Sequence, residues 1–291
     1  MKLKLTRRQF GQLAIAGAVV AATGNFQSKV FSQAAISKLV IIGVRLGPIP
    51  NPAVTGTTTR GLILESLDVE TGQIVPLPGP PILIGSDEQM TGFTSLFDGT
   101  FVVAITPIST SKKGEDPTRL IILGPPLTIV TISGLKKKEQ LRSLVGTKDG
   151  RLLGLVVKKN GTPPTRLVDI DWNTGNFTGE FTLPGNQRFS NLAECSDGTL
   201  YTTGVKKDGN TDLLLLDVQG IKLDFIAELK IDNTIWNNGL DSLICSEENQ
   251  LFAFGALRYE YPKALYSIDV SSGTMAKLRN FDVAKIMLPL S

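Results

Sequence analysis

FSNLAECSDGTLYTTGVKKDGNTDLLLLDVQGIKLDFIAEL, residues 189–229, decides the fold. It holds four short runs rich in apolar and β-branched residues, at 189–195, 199–206, 212–218 and 222–229. Asp197-Gly198 separates the first two, a polar Lys-Asp-Gly-Asn loop the next two, and a turn ending in Gly220 the last two. Short runs bounded by such turn residues read as antiparallel strands.

Working outward, the same unit recurs. The Asp-Gly turn returns as Asp98-Gly99, Asp149-Gly150, Asp197-Gly198 and, degraded, Glu248-Asn249, about fifty residues apart. A large apolar residue follows each turn at Phe101, Leu152, Leu200 and Leu251. Before each turn stands a matching block: Met90-Thr91-Gly92-Phe93, Leu141-Arg142-Ser143-Leu144, Phe189-Ser190-Asn191-Leu192 and Leu240-Asp241-Ser242-Leu243. The third place is always small or short and polar, which suits strands crowded near a common axis. A second landmark is an apolar strand running into an Asp turn that ends in Gly: SLDVETG (66–72), DIDWNTG (169–175), LLDVQG (215–220) and SIDVSSG (267–273). Where one copy is missing, RLIILGPPLTIVTI (119–132) bends at Gly124-Pro125-Pro126 instead.

Four antiparallel strands per period, here called a to d, make the blade of a β-propeller. The first segment, 38–46, begins where a b strand should, with its c and d strands at 60–77. The last, FDVAKIMLPL (281–290), is placed to supply the missing a strand. One blade is then shared by both ends of the chain, which leaves the ring without a free edge. The expectation is an all-β protein with five four-stranded blades over residues 35–291; six blades is the alternative. The D-x-x-T-G-like turn after the third strand resembles that of YVTN-type and quinoprotein-like repeats. That resemblance is generic, covers 36–291 and implies the blade, with no specific activity attached.

Residues 1–34 read as an address. Lys2, Lys4, Arg7, Arg8 and Lys29 stand there without an acid, so the formal charge of +3 becomes a small acidic surplus over residues 35–291. The apolar stretch Leu13–Ala22 is half the length of a membrane span and fits a signal-peptide core. Thr6-Arg7-Arg8-Gln9-Phe10 resembles the twin-arginine signal, and Ser32-Gln33-Ala34 offers a cleavage site after Ala34. The resemblance implies folded export through the twin-arginine machinery to a periplasm, the exterior or, in a phototroph, the thylakoid lumen, with no stable membrane insertion. Cys195 and Cys245 fall at nearly the same place in neighbouring repeats. They are expected to be buried free thiols, since equivalent places in adjacent units are usually too far apart for a disulfide.

The long connections, 47–59, 78–88, 107–118 and 230–239, all join b to c or d to a, so they share one face of the ring. Ligands are expected there. Three features populate it. Glu88 and Gln89, Glu139 and Gln140, Gln187 and Arg188, then Asn237 and Asn238 stand at inner-strand starts, fit to bind a sugar or to hold loop backbone and water. Paired lysines follow strand b at Lys112-Lys113, Lys158-Lys159 and Lys206-Lys207, as a cationic rim for an anionic ligand or polymer, or as a solvated edge. Trp236, Tyr259 and Tyr261 are loop aromatics, either exposed to stack on a ligand or tucked onto their blade.

The chain has no histidine, which excludes imidazole bases, Ser-His and Cys-His nucleophile pairs and His-ligated metals. No phosphate loop, zinc spacing or calcium loop occurs, and the acidic balance after residue 34 argues against nucleic acid. The expected function is a monomeric binding or scaffold module for a glycan, a polar envelope component or a protein, with neither metal nor cofactor. One alternative is a glycoside hydrolase using Glu88, Glu139 or Asp241 as acid and nucleophile or base. The other is a redox propeller carrying an organic cofactor.

Overall fold

The computed structural model describes residues 39–108, 118–158, 161–258 and 260–289. The segment expected to be a signal, with Arg7, Arg8, Phe10 and Ala34, together with Lys112, Lys113, Lys159 and Tyr259, lies outside the described residues. All regular structure among those described is β. The chain opens with β1 (Val40–Pro50), β2 (Thr58–Asp68) and β3 (Ile74–Pro76). The second blade is β4 (Glu88–Ser95), β5 (Phe101–Pro107), β6 (Arg119–Leu123) and β7 (Thr128–Thr131). The third is β8 (Glu139–Gly146), β9 (Leu152–Lys158), β10 (Arg166–Ile170) and β11 (Phe177–Thr182). The fourth is β12 (Arg188–Glu194), β13 (Leu200–Val205), β14 (Thr211–Asp217) and β15 (Lys222–Glu228). A small hairpin follows, β16 (Lys230–Ile231) and β17 (Thr234–Ile235). The fifth blade is β18 (Ser242–Cys245), β19 (Leu251–Gly255), β20 (Ala264–Asp269) and β21 (Thr274–Asn280), and the chain ends on β22 (Lys285–Met287).

These strands form five sheets, one per blade of a five-bladed propeller. The first sheet has the order β22-β1-β2-β3, so the C-terminal strand completes the N-terminal blade. Ile42 faces Met287, Gly43 faces Ile286 and Val44 faces Lys285. The five inner strands β4, β8, β12, β18 and β22 each pack on the next, and β22 returns to β4. Among the described residues of the expected terminal strand, 281–289, only 285–287 pair in the ladder. Phe281 and Val283 instead plug the seam beside Gly43, where a methyl group would sit 2.5 Å from the Phe281 ring.

The core lies between blades. Strand β5 shows why: Phe101, Val103 and Ile105 join the apolar layer toward the first blade, while Val102 and Ala104 join the layer toward the third. A strand covered on both faces reads as a continuous apolar run, with its period of two hidden in which layer each side chain enters.

The turns follow the expected chemistry. Gly99, Gly150, Gly198 and Asn249 all take positive φ, between 62° and 88°, the backbone region that Gly and Asn tolerate. In the turns between strands c and d, one Oδ of Asp68, Asp171, Asp217 or Asp269 accepts the amide two residues on, at 2.9–3.1 Å.

Two expectations need correction. Cys195 and Cys245 form a disulfide, with Cα atoms 5.0 Å apart. Blade spacing depends on radius, and both cysteines sit at the outgoing ends of inner strands, where adjacent blades converge to the distance a disulfide requires. Residues 230–235, expected as plain loop, form the β16–β17 hairpin, with Lys230 pairing parallel to Thr274 on the outer edge of the fifth blade.

Candidate functional site

Each inner strand enters the ring from the wide-loop face, and there it departs from ideal pairing. In β4 the ladder slips between Met90 and Gly92, in β8 between Leu141 and Ser143, and in β12 between Phe189 and Leu192. The bulged residues are Thr91, Arg142 and the Ser190-Asn191 pair. Asp241, just ahead of β18, holds the equivalent place, its amide donating to Phe254 O at 2.8 Å. Ala284, ahead of β22, donates likewise to Val44 O at 2.9 Å. Bulges re-aim side chains, and of these residues Thr91, Asn191 and Asp241 line the cavity at the channel mouth.

The next position is the small or polar third place of each repeat block. Its side chains lace neighbouring blades together. Ser143 Oγ accepts from Leu192 N at 3.2 Å, and Ser242 Oγ accepts from Ile286 N at 3.1 Å. Asn191 Nδ2 donates to Leu240 O at 2.9 Å. This register aligns Lys285 with Gly92, Ser143, Asn191 and Ser242. A lysine therefore stands on the axis where every other blade has a small or short side chain.

The cavity at this level encloses about 220 Å³, counting its open mouth, and is lined chiefly by polar groups, including Thr91, Ser143, Asn191, Asp241, Ser242 and Lys285. A second cavity, of about 380 Å³ counting the open solvent at its mouth, continues along the inner strands past Leu144, Leu192 and Leu243 to Cys245. Lys285 Nζ donates to the main-chain oxygen of Asp241. Burial pushes its pKa down to about 8; the nearby Arg142 and Lys263 cations act in the same direction and Asp241 against it. The Asp241 carboxylate itself pairs with Lys263, at 3.1 Å. Among the described residues neither Lys285 nor Arg142 has a carboxylate within ion-pair distance.

Glu88 and Glu139 are bound within their own blades. Glu88 accepts from Arg119 Nε at 3.0 Å and Nη2 at 2.7 Å, and from Gly85 N at 2.7 Å. Burial would raise its pKa, but Arg119, the Gly85 amide and Arg60 together hold it below the usual carboxylate range. Glu139 repeats the arrangement one blade on, accepting from Arg166 through both oxygens and from Lys136 N at 2.7 Å. In each case a first-strand glutamate reaches across the second strand to a third-strand arginine and caps the amide three residues before it. In the fourth blade the carboxylate has moved to the third strand: Gln187 Nε2 donates to Asp212 Oδ2 at 2.9 Å, and Lys206 pairs with Asp212 and Glu228.

Of the three carboxylates read as catalytic candidates, Asp241 alone lines the axial cavity. Gln89 and Gln140 lie in the first-to-second strand ladders, opposite Thr106 and Val157, and Arg188 is exposed opposite Val205. Asn238 Nδ2 donates to Ala256 O at 2.9 Å. Trp236 is wholly buried, its ring edge-on to Tyr266 at 5.3 Å, so of the two sequence readings the tucked one holds. Tyr261 is exposed, and its hydroxyl donates to Asp282 at 2.6 Å.

Sequence reasoning missed Lys285, Arg142 and Lys263. Aligning the C-terminal run on the repeat blocks would have exposed Lys285 as the one long side chain at the third place.

No family model and no curated protein matches the chain. Solved structures do. One is a protein of unknown function from Bacteroides caccae, at 8% identity over 88% of this chain and 100% of that one, with a TM-score of 0.47. The calcium-binding protein regucalcin from Agrobacterium tumefaciens follows at 16% identity, over 80% and 73%, with a TM-score of 0.44. Virginiamycin B lyase from Staphylococcus aureus stands at 14% identity, over 82% and 74%, with a TM-score of 0.44. Likeness at this level carries no argument about what the chain binds or does.

Proposed function

We propose that the protein is an exported binding module whose ligand sits over the channel mouth on the wide-loop face. The observation that carries this reading is the polar cavity built from bulged inner strands, with side chains from neighbouring blades turned into one space. The ligand would be a glycan, another polar envelope component or a protein partner. Hydrolysis of a glycoside would need two carboxyl groups across one cavity, one of them protonated. The ion-paired Glu88 and Glu139 favour binding over turnover. Glycan-array binding together with a panel of chromogenic glycosides tests this. Binding without turnover is expected, and turnover that Asp241→Asn abolishes would replace the reading with the hydrolase. An absorption spectrum of protein purified from its native host tests the organic-cofactor alternative.

Export rests on the Arg7-Arg8-Gln9-Phe10 pattern and the cleavage site after Ala34, and the Cys195–Cys245 disulfide supports it, since such bonds persist in oxidising compartments. The partner in transit would be the twin-arginine machinery, and the destination the periplasm, the exterior or a thylakoid lumen, with the protein acting as a monomer. Replacing Arg7 and Arg8 by Lys should leave the precursor in the cytoplasm, detected by fractionation. Unimpaired export of that variant would refute the assignment.

A further inference from the structure

Several features of the molecule are accounted for within the fold. The glutamate–arginine pairs tie blades internally, and the buried Thr91–Thr106–Thr118 hydroxyl chain, at 3.0 and 3.2 Å, ties the second blade to itself. Exposed apolar side chains such as Phe97 and Phe225 show nothing of what would cover them. The axial cavity is different, because it holds a buried ammonium with no carboxylate at ion-pair distance among the described residues.

Lys285 has three N–H groups and donates one to Asp241 O. The hydroxyls of Ser143 and Ser242 each accept a main-chain amide, and neither donates its own hydrogen to a described residue. The surrounding charges are Arg142 and Lys263 as cations and Asp241 as the anion, with Asp241 already paired to Lys263. An unpaired ammonium held in a half-enclosed space is unfavourable until an anion joins it. Phe93, Leu144, Leu192, Leu243 and Ile286 also line the space, but no aromatic side chain stands exposed beside it: Phe93, Trp236 and Phe281 are all buried. The ammonium without a carboxylate partner favours a small polar anion, one that reaches it from the open mouth.

We propose that the channel mouth is an anion site that takes the carboxylate of a sugar acid, with Lys285 as the principal contact, the Ser143 and Ser242 hydroxyls as further donors and Arg142 as a second cation at the rim. This deepens the binding-module reading and rests on it. The carboxylate would sit on the axis and the sugar ring above it, toward the bulged residues. No bond is made or broken.

The probe is D-glucuronate, with D-glucose and the methyl ester of glucuronate as neutral comparisons, titrated into the mature protein and followed by lysine side-chain NMR and calorimetry. Glucuronate should bind, and the neutral sugars should bind at least about tenfold more weakly, the factor expected for one charge-assisted contact. The Lys285 titration midpoint should rise when glucuronate is added and stay put with glucose. Lys285→Met should weaken glucuronate by about tenfold or more. Lys222→Met, which removes a surface lysine paired to Asp224 on the outer strand, should leave it unchanged. If Lys285→Met does not fold, the midpoint measurement on the unaltered protein decides alone. Equal binding of acid and ester, a Lys285 midpoint indifferent to glucuronate, or a peptide carboxylate binding more tightly than glucuronate would overturn the proposal. If the proposal falls while the glycan array still returns a ligand, the binding-module reading survives it; if the array is also blank, both fall.

Discussion

The two faces of the ring are built on opposite rules. On the tight-turn face the repeat is obeyed. Gly99, Gly150, Gly198 and Asn249 take the same backbone region, and Ser196 Oγ and the Asp197 amide both bond Asn249 Oδ1, at 2.7 and 3.1 Å. The disulfide closes the same end of the fourth and fifth blades. On the wide-loop face the inner strands bulge, and one blade puts a lysine where the others have Gly, Ser, Asn and Ser. Repetition carries stability here, and departure from it marks the place where a ligand would act.

The largest test of that contrast attacks the seam, where the repeat is completed by the far end of the chain. Deleting 282–291 removes β22 and exposes β1 along its pairing edge. Cooperative unfolding should be lost, since the destabilisation would approach the total stability of an ordinary domain, about 5–15 kcal/mol. Calorimetry checks it, and an unchanged transition would break the ring.

Next in size is the ion pair that ties the third blade. The Arg166 side chain is 5% exposed and pairs with both Glu139 and Glu180. Arg166→Met strands the Glu139 carboxylate and should cost about 3–5 kcal/mol in denaturant unfolding. Glu139→Gln should also destabilise, contrary to a purely ligand-binding role for Glu139. The Cys195→Ser/Cys245→Ser pair should cost about 2–4 kcal/mol, or less if the reduced chain stays locally ordered. Urea melts with and without reductant measure it.

The channel mouth should respond with the opposite sign. With its pKa pushed down to about 8 in the folded state, Lys285 makes the unfolded chain the better proton acceptor between pH 8 and the ordinary lysine range. The penalty is therefore full below pH 8 and fades as pH rises toward 10. Lys285→Met should stabilise the ligand-free protein at pH 7 by roughly 1–3 kcal/mol, and the gain should shrink at pH 9–10. Melting curves of both proteins across that range check the sign. A variant less stable at pH 7 would make Lys285 a structural residue.

The smallest effect is expected at single turns. Side-chain hydrogen bonds from Thr174 and Ser271 hold the Asp171 and Asp269 carboxyls below their usual pKa. Their contribution is present at neutral pH and lost as pH falls through the depressed folded values, below about 4. Asp171→Ala should lower the melting temperature slightly at pH 7 and not at all at pH 2.

What could be read in the sequence was what is local. The Asp-Gly turns and the Asp turns after the third strands were legible because each is fixed by a few adjacent residues with particular backbone preferences. Closure was legible because the block at 281–290 had no other blade to join. The disulfide was missed because sequence spacing counts residues, whereas the gap between Cys195 and Cys245 is set by their distance from the axis. The roles of Glu88 and Glu139 were obscured because Arg119 and Arg166 lie two strands away and come alongside only in the folded sheet. Lys285 escaped notice because its strand is severed from the rest of its blade, and no Asp-Gly turn follows to mark the register.

The most direct test compares the two faces on one preparation. D-glucuronate affinity and melting temperature would be measured for Lys285→Met at the mouth and Asp197→Ala at a tight turn. The expected result is that Lys285→Met loses affinity while keeping or gaining stability, and Asp197→Ala keeps affinity while losing stability. Glucuronate binding that survives Lys285→Met and fails in Asp197→Ala would place the working surface on the opposite face and contradict the account.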